Sequence, residues 1–500
     1  MRSQPSEINQ NLFRAYDIRG IYPEELSSNL VHDLGLAIGT FIQNKLQNQN
    51  KNQNLKQTVI VGRDGRLSGP VLIQALKDGL KKSGVNVIDI GMVPTPVLYF
   101  ATKYLSQKLN QNLNSGVMLT GSHNPANYNG LKMVLAGETI AGDDIQALYQ
   151  ILKQKIYIQP SHVNYEPGTE QNLNILKDYE QRVLSEIKLA RKLKVILDCG
   201  SGVTGVLAPD LIKNLGCEVL GLYTEVDGTF PHHHPDPSKP KNLKDLQEAV
   251  LNNQADIGLA FDGDGDRLGV ITSSGKIIWP DRQVMIYAQD VLKRFFLDNK
   301  NLNTNQKPII LYDVKCTKYL AEIISDAGGE PVMCPTGHSL VKKEIARTGA
   351  KLAGEMSGHI FFNDTWYGFD DAIYTAARLL RILSEQDQSS EKIFENLPES
   401  MTTPEINIDV PDSEKFKLIK LIIERANLNK KQFFPEAEIV NIDGLRLNFK
   451  DGFALIRVSN TTPCFVLRFE SESSEGLIKI QDNFRNFLSN AVPDLNWEWN

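Results

Sequence analysis

The chain has 500 residues, 41% hydrophobic and 23% charged, which is enough for several cores and suggests three or four domains. Its formal net charge is −6 with acids and bases interspersed, which argues against a nucleic-acid or membrane-surface binder and leaves any anionic ligand to local basic clusters. The five cysteines, Cys199, Cys217, Cys316, Cys334 and Cys464, form no C-x-x-C pair, no apolar run is long enough to span a bilayer, and the opening MRSQPSEINQ lacks a leader pattern. These features predict a soluble protein of the reducing cytoplasm.

In chain order, NLFRAYDIRG places Arg14 and Arg19 around Tyr16 and Asp17, and a helical pattern follows from Leu30 to Phe41. The Asn/Gln/Lys-rich segment 43–57 and the region Gln107–Asn114 are expected to be solvated loops. One unit then occurs three times: strand, polar turn, helix, glycine, strand. The copies are VIVG (59–62) with a helix Val71–Ser83 and VNVIDIG, VILD (195–198) with a helix Ala208–Leu215 and CEVLGLY, and IILYD (309–313) with a helix Lys318–Asp326 and EPVMC. Each is a βαβ crossover, and their wide spacing predicts three tandem, related α/β domains. The last hundred residues differ. A helix near Ser413–Ala426, then LRLNF, a turn at Lys450-Asp451-Gly452, FALIRV, FVLRFE and a final helix predict an α+β domain with antiparallel strands. The expected domains are 1–167, 168–276, 277–395 and 396–500.

Four stretches carry candidate chemistry. In LTGSHNPANYNGLKM, Ser122 sits in a Gly/Asn/Pro loop expected to be exposed; alone it reads first as a loop serine that satisfies its own backbone, and only the other stretches turn it into a chemical candidate. In IGLAFDGDGDRLGVIT, Asp262, Asp264 and Asp266 alternate with glycines between two apolar strands, and three such carboxylates repel one another unless a cation joins them. An EF-hand is excluded, because its sixth and twelfth positions would be Arg267 and Ser273. Mg²⁺ suits the set, and Arg267 is placed to hold a phosphate. In AGEMSGHIFF, Glu355, Ser357 and His359 alternate; an extended segment would turn them to one side, either to grip vicinal sugar hydroxyls or as the solvated face of an edge strand. In RVSNTTPCFVLRFE, Arg457, Ser459, Asn460 and Thr461 form either a phosphate cradle or a polar hairpin loop. Lys315 and His338 fall on turns at the C-terminal ends of predicted strands, where ligands of open α/β sheets gather.

YDIRG, TGSHNP with NGLK, DGDGDR, GEMSGH and R-x-SNT-x-P, in this order from Phe13 to Glu470, resemble the α-D-phosphohexomutase family, nearest its bacterial phosphomannomutase/phosphoglucomutase branch. The resemblance implies three α/β domains with mixed sheets and a C-terminal domain like the TATA-binding-protein fold around a central cleft. It implies that Ser122 carries the phosphoryl group, and that Asp262, Asp264 and Asp266 hold one Mg²⁺ with an oxygen of Ser122. Arg267 and His123 would lie beside that phosphate, with Arg19, Lys132 and His359 as proton-transfer or charge-stabilising groups. Glu355 and Ser357 would hold sugar hydroxyls, Lys315 and His338 would contact substrate, and Arg457, Ser459, Asn460 and Thr461 would bind the other phosphate. The implied activity moves a phosphoryl group between C1 and C6 of a hexose phosphate through a hexose 1,6-bisphosphate, with no nucleic-acid or membrane partner and a monomer or weak homodimer as the assembly. A grip on O3 and O4 cannot tell glucose from mannose, so both are expected substrates.

Rival readings are specific. A phosphoglucosamine mutase of the same family usually carries Ala where Gly265 sits. The run Gly200–Gly205 is a G-x-G-x-x-G between a strand and a helix, which would suit an NAD-dependent dehydrogenase but leaves the other stretches unexplained. A serine hydrolase is disfavoured, since Thr120 and Asn124 replace the glycines of its elbow. A non-catalytic sugar-phosphate binder would be expected to lose Ser122 or one of the three Asp residues. HHHPDP (232–237) reads as a stiff loop rather than a metal site, because adjacent residues converge poorly on one ion.

Overall fold

The computed structural model describes residues 8–48, 57–109, 113–158, 166–298, 307–459 and 462–499. The chain folds into two compact units, one running to Trp279 and including Ser357–Lys392, the other formed by Pro280–Met356 and the chain from Ile393 onward.

The first unit opens with a mixed sheet of β1 (Ile18–Ile21), β2 (Thr58–Arg63), β3 (Asn86–Met92), β4 (Ser115–Leu119), β5 (Tyr128–Leu135), β6 (Glu138–Thr139) and β7 (Glu170–Asn172), ordered β1-β5-β4-β2-β3-β7 with β6 on β5. Strands β2 and β3 run parallel, and the helix Gly69–Lys82 crosses between them. Its Pro70 stands in the first turn, where a missing N–H costs nothing, and Leu72, Leu76 and Leu80 make its buried stripe. The core beneath the sheet joins that stripe to Leu34, Ile38, Val59, Val61, Val117 and Leu119. A second mixed sheet holds β8 (Lys194–Asp198), β9 (Glu218–Leu222), β10 (Ile257–Phe261), β11 (Leu268–Thr272) and β12 (Ile277–Ile278). Here β8 pairs in parallel with β9 and β10, whereas β10 and β11 form an antiparallel hairpin.

In the second unit β13 (Ile309–Asp313) lies parallel between β14 (Glu330–Cys334) and β15 (Leu352–Gly354). The short strand β16 (Ile360–Phe362) belongs to the first unit. The C-terminal antiparallel sheet contains β17 (Met401–Thr402), β18 (Ile406–Asp409), β19 (Glu438–Val440), β20 (Leu445–Phe449), β21 (Gly452–Val458) and β22 (Cys464–Ser471). The pair Phe449–Gly452 closes the β20–β21 hairpin over Lys450-Asp451. Phe465, Leu467, Phe469 and Phe484 join this sheet to the final helix Ser474–Ala491. All three βαβ crossovers, the Asp-loop hairpin and the antiparallel C-terminal sheet form as their patterns predict.

Two expected loops are partly helical. The helix Ser28–Asn48 runs past Phe41 because Ile42 and Leu46 continue its buried stripe at a spacing of four, which outweighs the polar residues between them. The helix Thr95–Leu109 likewise takes in Gln107. Residues 49–56 and 110–112 of those expected loops lie outside the described residues.

Candidate active site

Ser122 is buried, at 1% exposure, rather than exposed. Its loop follows β4 and its φ is +50°, a left-handed conformation that non-glycine residues adopt only when their surroundings fix it. Part of that fixing is visible around Asp64, whose carboxylate accepts from Thr120 Oγ1 (2.8 Å) and Gly121 N (3.2 Å). Thr120 Oγ1 in turn accepts from Ser122 N at 2.8 Å. The serine hydroxyl donates to Asp262 Oδ2 at 3.2 Å and lies 3.3 Å from His123 Nδ1.

The loop between β10 and β11 brings Asp262, Asp264 and Asp266 together, all fully buried, with carboxylate oxygens within 4.8 Å of one another. Asp262 Oδ1 accepts the backbone N–H groups of Gly265, Asp266 and Arg267 at 3.0–3.1 Å, which sets the tight turn. Lys132 Nζ, on β5, donates to Asp264 Oδ2 at 2.7 Å and also contacts Asp266. Thr95 Oγ1 adds a bond to Asp264 Oδ2 at 2.5 Å. Burial pushes the Asp262 carboxyl well above its ordinary range, reinforced by the charges of Asp266 and Asp264. Burial acts the same way on Asp264, but the Lys132 charge and hydrogen bond outweigh it and hold that carboxyl low. Asp264 Oδ1 and Asp266 Oδ1 are buried without a hydrogen-bond partner among the described residues. With only His359 Nδ1 at 3.5 Å beside Asp266 Oδ1, both are buried anionic oxygens short of donors, and a hard cation is a ligand that satisfies both.

Arg19 pairs with Gly130 across β1 and β5, two residues from Lys132, so both cations project from one sheet face. Arg19 Nη2 donates to Asp17 Oδ2 at 2.5 Å. Arg267 Nε donates to His359 Nε2 at 3.0 Å, which makes that nitrogen the acceptor and puts the ring proton on Nδ1, 3.1 Å from Asp370 Oδ2 and 3.5 Å from Asp266 Oδ1. His123 is held well below its ordinary pKa by burial and by the charges of Arg267, Arg19 and Lys132. The first unit therefore gathers Ser122, His123, Arg19, Lys132, Arg267, His359 and the three Asp residues.

Residues 355–359 make a turn between β15 and β16, not an extended strand. Gly358 has φ +100°, which breaks the pleat, so Glu355, Ser357 and His359 do not share a face through strand alternation. Ser357 is half-buried. In the second unit, Glu355 is buried and accepts from Gly337 N at 2.5 Å, beside His338 at the start of the helix His338–Thr348. Asp443 Oδ2 accepts from Thr336 N at 3.0 Å and from Arg457 Nε at 2.9 Å, tying the His338 turn to β21. Lys315 Nζ pairs with Glu405 at 2.8 Å, and its charge pulls the Glu405 carboxyl down to about 2. Ser459 Oγ lies 2.7 Å from Thr462 Oγ1. Asn460 and Thr461 lie outside the described residues.

The Gly200–Gly205 run is no dinucleotide turn. Residues 203–206 are a 3₁₀ turn, the helix begins only at Ala208, and Val203 N is spent on Gly263 O of the Asp loop at 3.2 Å. The run buttresses the carboxylates instead of presenting a helix N-terminus to a pyrophosphate. The three adjacent histidines diverge: His232 stacks on Tyr223, His233 Nε2 bonds Asp198 Oδ2 at 2.9 Å, and His234 contacts the His123 carbonyl.

Phosphoglucomutase/phosphomannomutase profiles match in four consecutive pieces: alpha/beta/alpha domain I over residues 10–158, domain II over 175–275, domain III over 279–401, and the C-terminal domain over 405–487. The chain belongs to the phosphoglucomutase/phosphomannomutase family of α-D-phosphohexomutases. It is 48% identical over 490 residues to a phosphomannomutase/phosphoglucomutase of Pseudomonas syringae, covering 98% of this chain and 97% of that one. It is 45% identical to a phosphoglucomutase of Neisseria meningitidis, covering 98% and 99%. The crystal structure of a phosphoglucomutase/phosphomannomutase family protein from Burkholderia thailandensis superposes with a TM-score of 0.87 at 46% identity, covering 98% and 99%. Sequence reasoning passed over Asp64, Thr95 and Asp370, which the structure brings to the candidate site residues. The three carried no motif of their own, although Asp64 stands in the turn directly after β2, a position where α/β sheets place ligand-side residues.

Proposed function

We propose that the chain is a phosphohexomutase, an isomerase that moves a phosphoryl group between C1 and C6 of mannose and glucose phosphates through a hexose 1,6-bisphosphate. The observation that carries this reading is the 3.2 Å approach of Ser122 Oγ to Asp262 inside the buried carboxylate triad. A serine fixed beside a cation site, with Arg267, Lys132 and Arg19 around it, is suited to carry a phosphoryl group whose charge must be neutralised during transfer.

Asp262, Asp264 and Asp266 would hold Mg²⁺ together with an oxygen of phosphorylated Ser122. Bound there, Mg²⁺ supplies Lewis-acid neutralisation of charge on the phosphoryl and seryl oxygens. The P–O bond to Ser122 breaks as one forms to the sugar hydroxyl oxygen, and the hydroxyl proton leaves to a neighbouring base; Arg19, Lys132 and His359 are the candidates for proton transfer or charge stabilisation around that step. Glu355 and Ser357 would hold sugar hydroxyls, Lys315 and His338 would contact the substrate, and Arg457, Ser459, Asn460 and Thr461 would bind the phosphate at rest. The same reading keeps the four-domain division at 167, 276 and 395, a cytoplasmic location, and a monomer or weak homodimer. No helix among the described residues is long and apolar enough to cross a membrane.

Gly265 favours this reading over a phosphoglucosamine mutase with Ala at that position. Its φ is +81°, and a Cβ there would stand 2.5 Å from Thr204 Cγ2. The deciding experiment is Ser122→Ala in a coupled assay with glucose 1-phosphate, mannose 1-phosphate and glucosamine 1-phosphate. Loss of turnover with an unchanged melt, and a phosphate-sized mass difference confined to the unsubstituted protein, supports the carrier role; near-normal turnover removes it.

A further inference from the structure

The left-handed backbone of Ser122 is held from behind by a residue outside every motif used so far. Arg66, in the turn after β2, has a fully buried side chain. Its guanidinium has five N–H groups, and five acceptors receive them. Nε donates to Asp64 Oδ2 at 3.1 Å. Nη2 donates to Ser122 O at 2.8 Å and Asn124 O at 2.7 Å. Nη1 donates to Tyr128 O at 2.9 Å and to Pro125 O. Four carbonyls of one short loop thus converge on one planar cation. Asp64, bonded to the same guanidinium, also accepts from Thr120 Oγ1 and Gly121 N on the other flank of the serine. The Phe230 ring lies 5.3 Å from the guanidinium carbon. No neutral side chain offers five donors in one plane, and a lysine offers three from a single point.

We infer that Arg66 is a positioning residue for phosphoryl transfer: its five-donor clamp holds the Ser122 loop so that Oγ stays aimed at the carboxylate triad. The inference rests on Ser122 being the phosphoryl carrier. Displacing a reacting group by about 1 Å can cost about 100-fold in rate, so the clamp acts on the chemical step and not on sugar affinity.

Gly121 supplies an independent handle. It needs no left-handed φ, but a Cβ there would stand 2.4 Å from Arg66 Cζ and 2.5 Å from Nε. Gly121→Ala therefore pushes on the guanidinium without removing a donor.

The test uses the full chain with Mg²⁺ and glucose 1,6-bisphosphate, comparing Arg66→Ala, Arg66→Lys, Gly121→Ala and Ser122→Ala by kcat, KM, melting and intact mass. Arg66→Ala and Gly121→Ala should each lower kcat by about 100-fold, with KM for glucose 1-phosphate within about twofold. Arg66→Lys should fall between Arg66→Ala and the unsubstituted protein. Millimolar guanidinium ion should restore turnover to Arg66→Ala and do nothing for Gly121→Ala, whose clamp is still filled. If Arg66→Ala does not fold, Gly121→Ala decides the matter by the same kcat criterion. Full kcat in Gly121→Ala or in a folded Arg66→Ala, or losses expressed in KM alone, overturns the positioning role. Ser122→Ala separates the two levels: normal turnover there removes the carrier reading, whereas an inactive Ser122→Ala beside a fully active Arg66→Ala removes only the clamp.

Discussion

Lys132 Nζ lies 2.7 Å from Asp264 Oδ2 and also contacts Asp266, so one buried ammonium sits among three buried carboxylates. Burial alone would lower the lysine pKa, but Asp264, Asp266 and Asp262 together hold it well above its usual value. Lys132 is thus a resident counter-ion for a site that also fits a divalent cation. Lys132→Met should lose about 3–5 kcal/mol of stability in the presence of a chelator, the usual cost of stripping one partner from a buried ion pair. Excess Mg²⁺ should recover part of that loss, giving the variant a larger cation-induced rise in melting temperature than the unsubstituted protein. Equal rises in both proteins would show that the lysine and the cation do not serve the same carboxylates.

Asp264 divides its two oxygens between tasks. Oδ2 is taken by Lys132 and Thr95, and Oδ1 has no partner among the described residues. Asp264→Asn replaces one of the two acceptor oxygens with an amide NH2 donor and removes one charge from the site. The Mg²⁺ concentration giving half-maximal activity should rise by about tenfold or more, because affinity for hard cations follows ligand charge. The metal-induced melting shift should shrink in parallel, and an unchanged metal requirement would take Asp264 out of the ligand set.

What was legible in the sequence was local. The βαβ crossovers showed because apolar positions repeat at strand and helix periods within one crossover, and DGDGDR showed because two apolar runs frame it. Burial of Ser122 was illegible, since Gly, Ser, Asn and Pro read as a solvated turn. The groups that bury and clamp it, Asp64 and Arg66, come from more than fifty residues away. The turn at 355–359 was misread for a related reason: alternating Glu, Ser and His imitates a strand, and only the left-handed Gly358 reveals the reversal. Asp370 pairs with His359 across a loop whose closure no pattern in the residues announces.

Arg457 reaches the candidate phosphate cradle from β21, buried, with Nε on Asp443. Since the cradle would hold the phosphate that does not react, Arg457→Ala should weaken ground and transition states alike. KM for glucose 1-phosphate should rise by about 10- to 100-fold, equivalent to about 1.5–3 kcal/mol for a charged hydrogen bond, with kcat changed far less. A melt close to that of the unsubstituted protein is the control. A fall in kcat at constant KM would instead assign Arg457 to the reacting phosphate.

Asp371 provides a pH test away from the reacting groups. Its carboxylate caps the helix Ala372–Ser384 by accepting from Tyr374 N at 2.9 Å, and also accepts from Tyr179 OH and Trp366 Nε1. Burial pushes its pKa up to about 7 despite those donors. The folded state therefore binds a proton that the unfolded chain has already released between about pH 4 and pH 7, so this group's contribution to stability falls as pH rises through that window. Asp371→Asn keeps an acceptor for the helix cap but cannot ionise. It should be less stable than the unsubstituted protein near pH 5, where one acceptor has been replaced by an amide donor. The difference should shrink or reverse by pH 8, moving by about 2–3 kcal/mol between pH 5 and pH 8 for a fully buried group. Chemical denaturation at pH 5, 6, 7 and 8 measures it directly: a stability difference that stays constant across those values would show that Asp371 remains ionised throughout, stabilised by its three donors rather than protonated by burial.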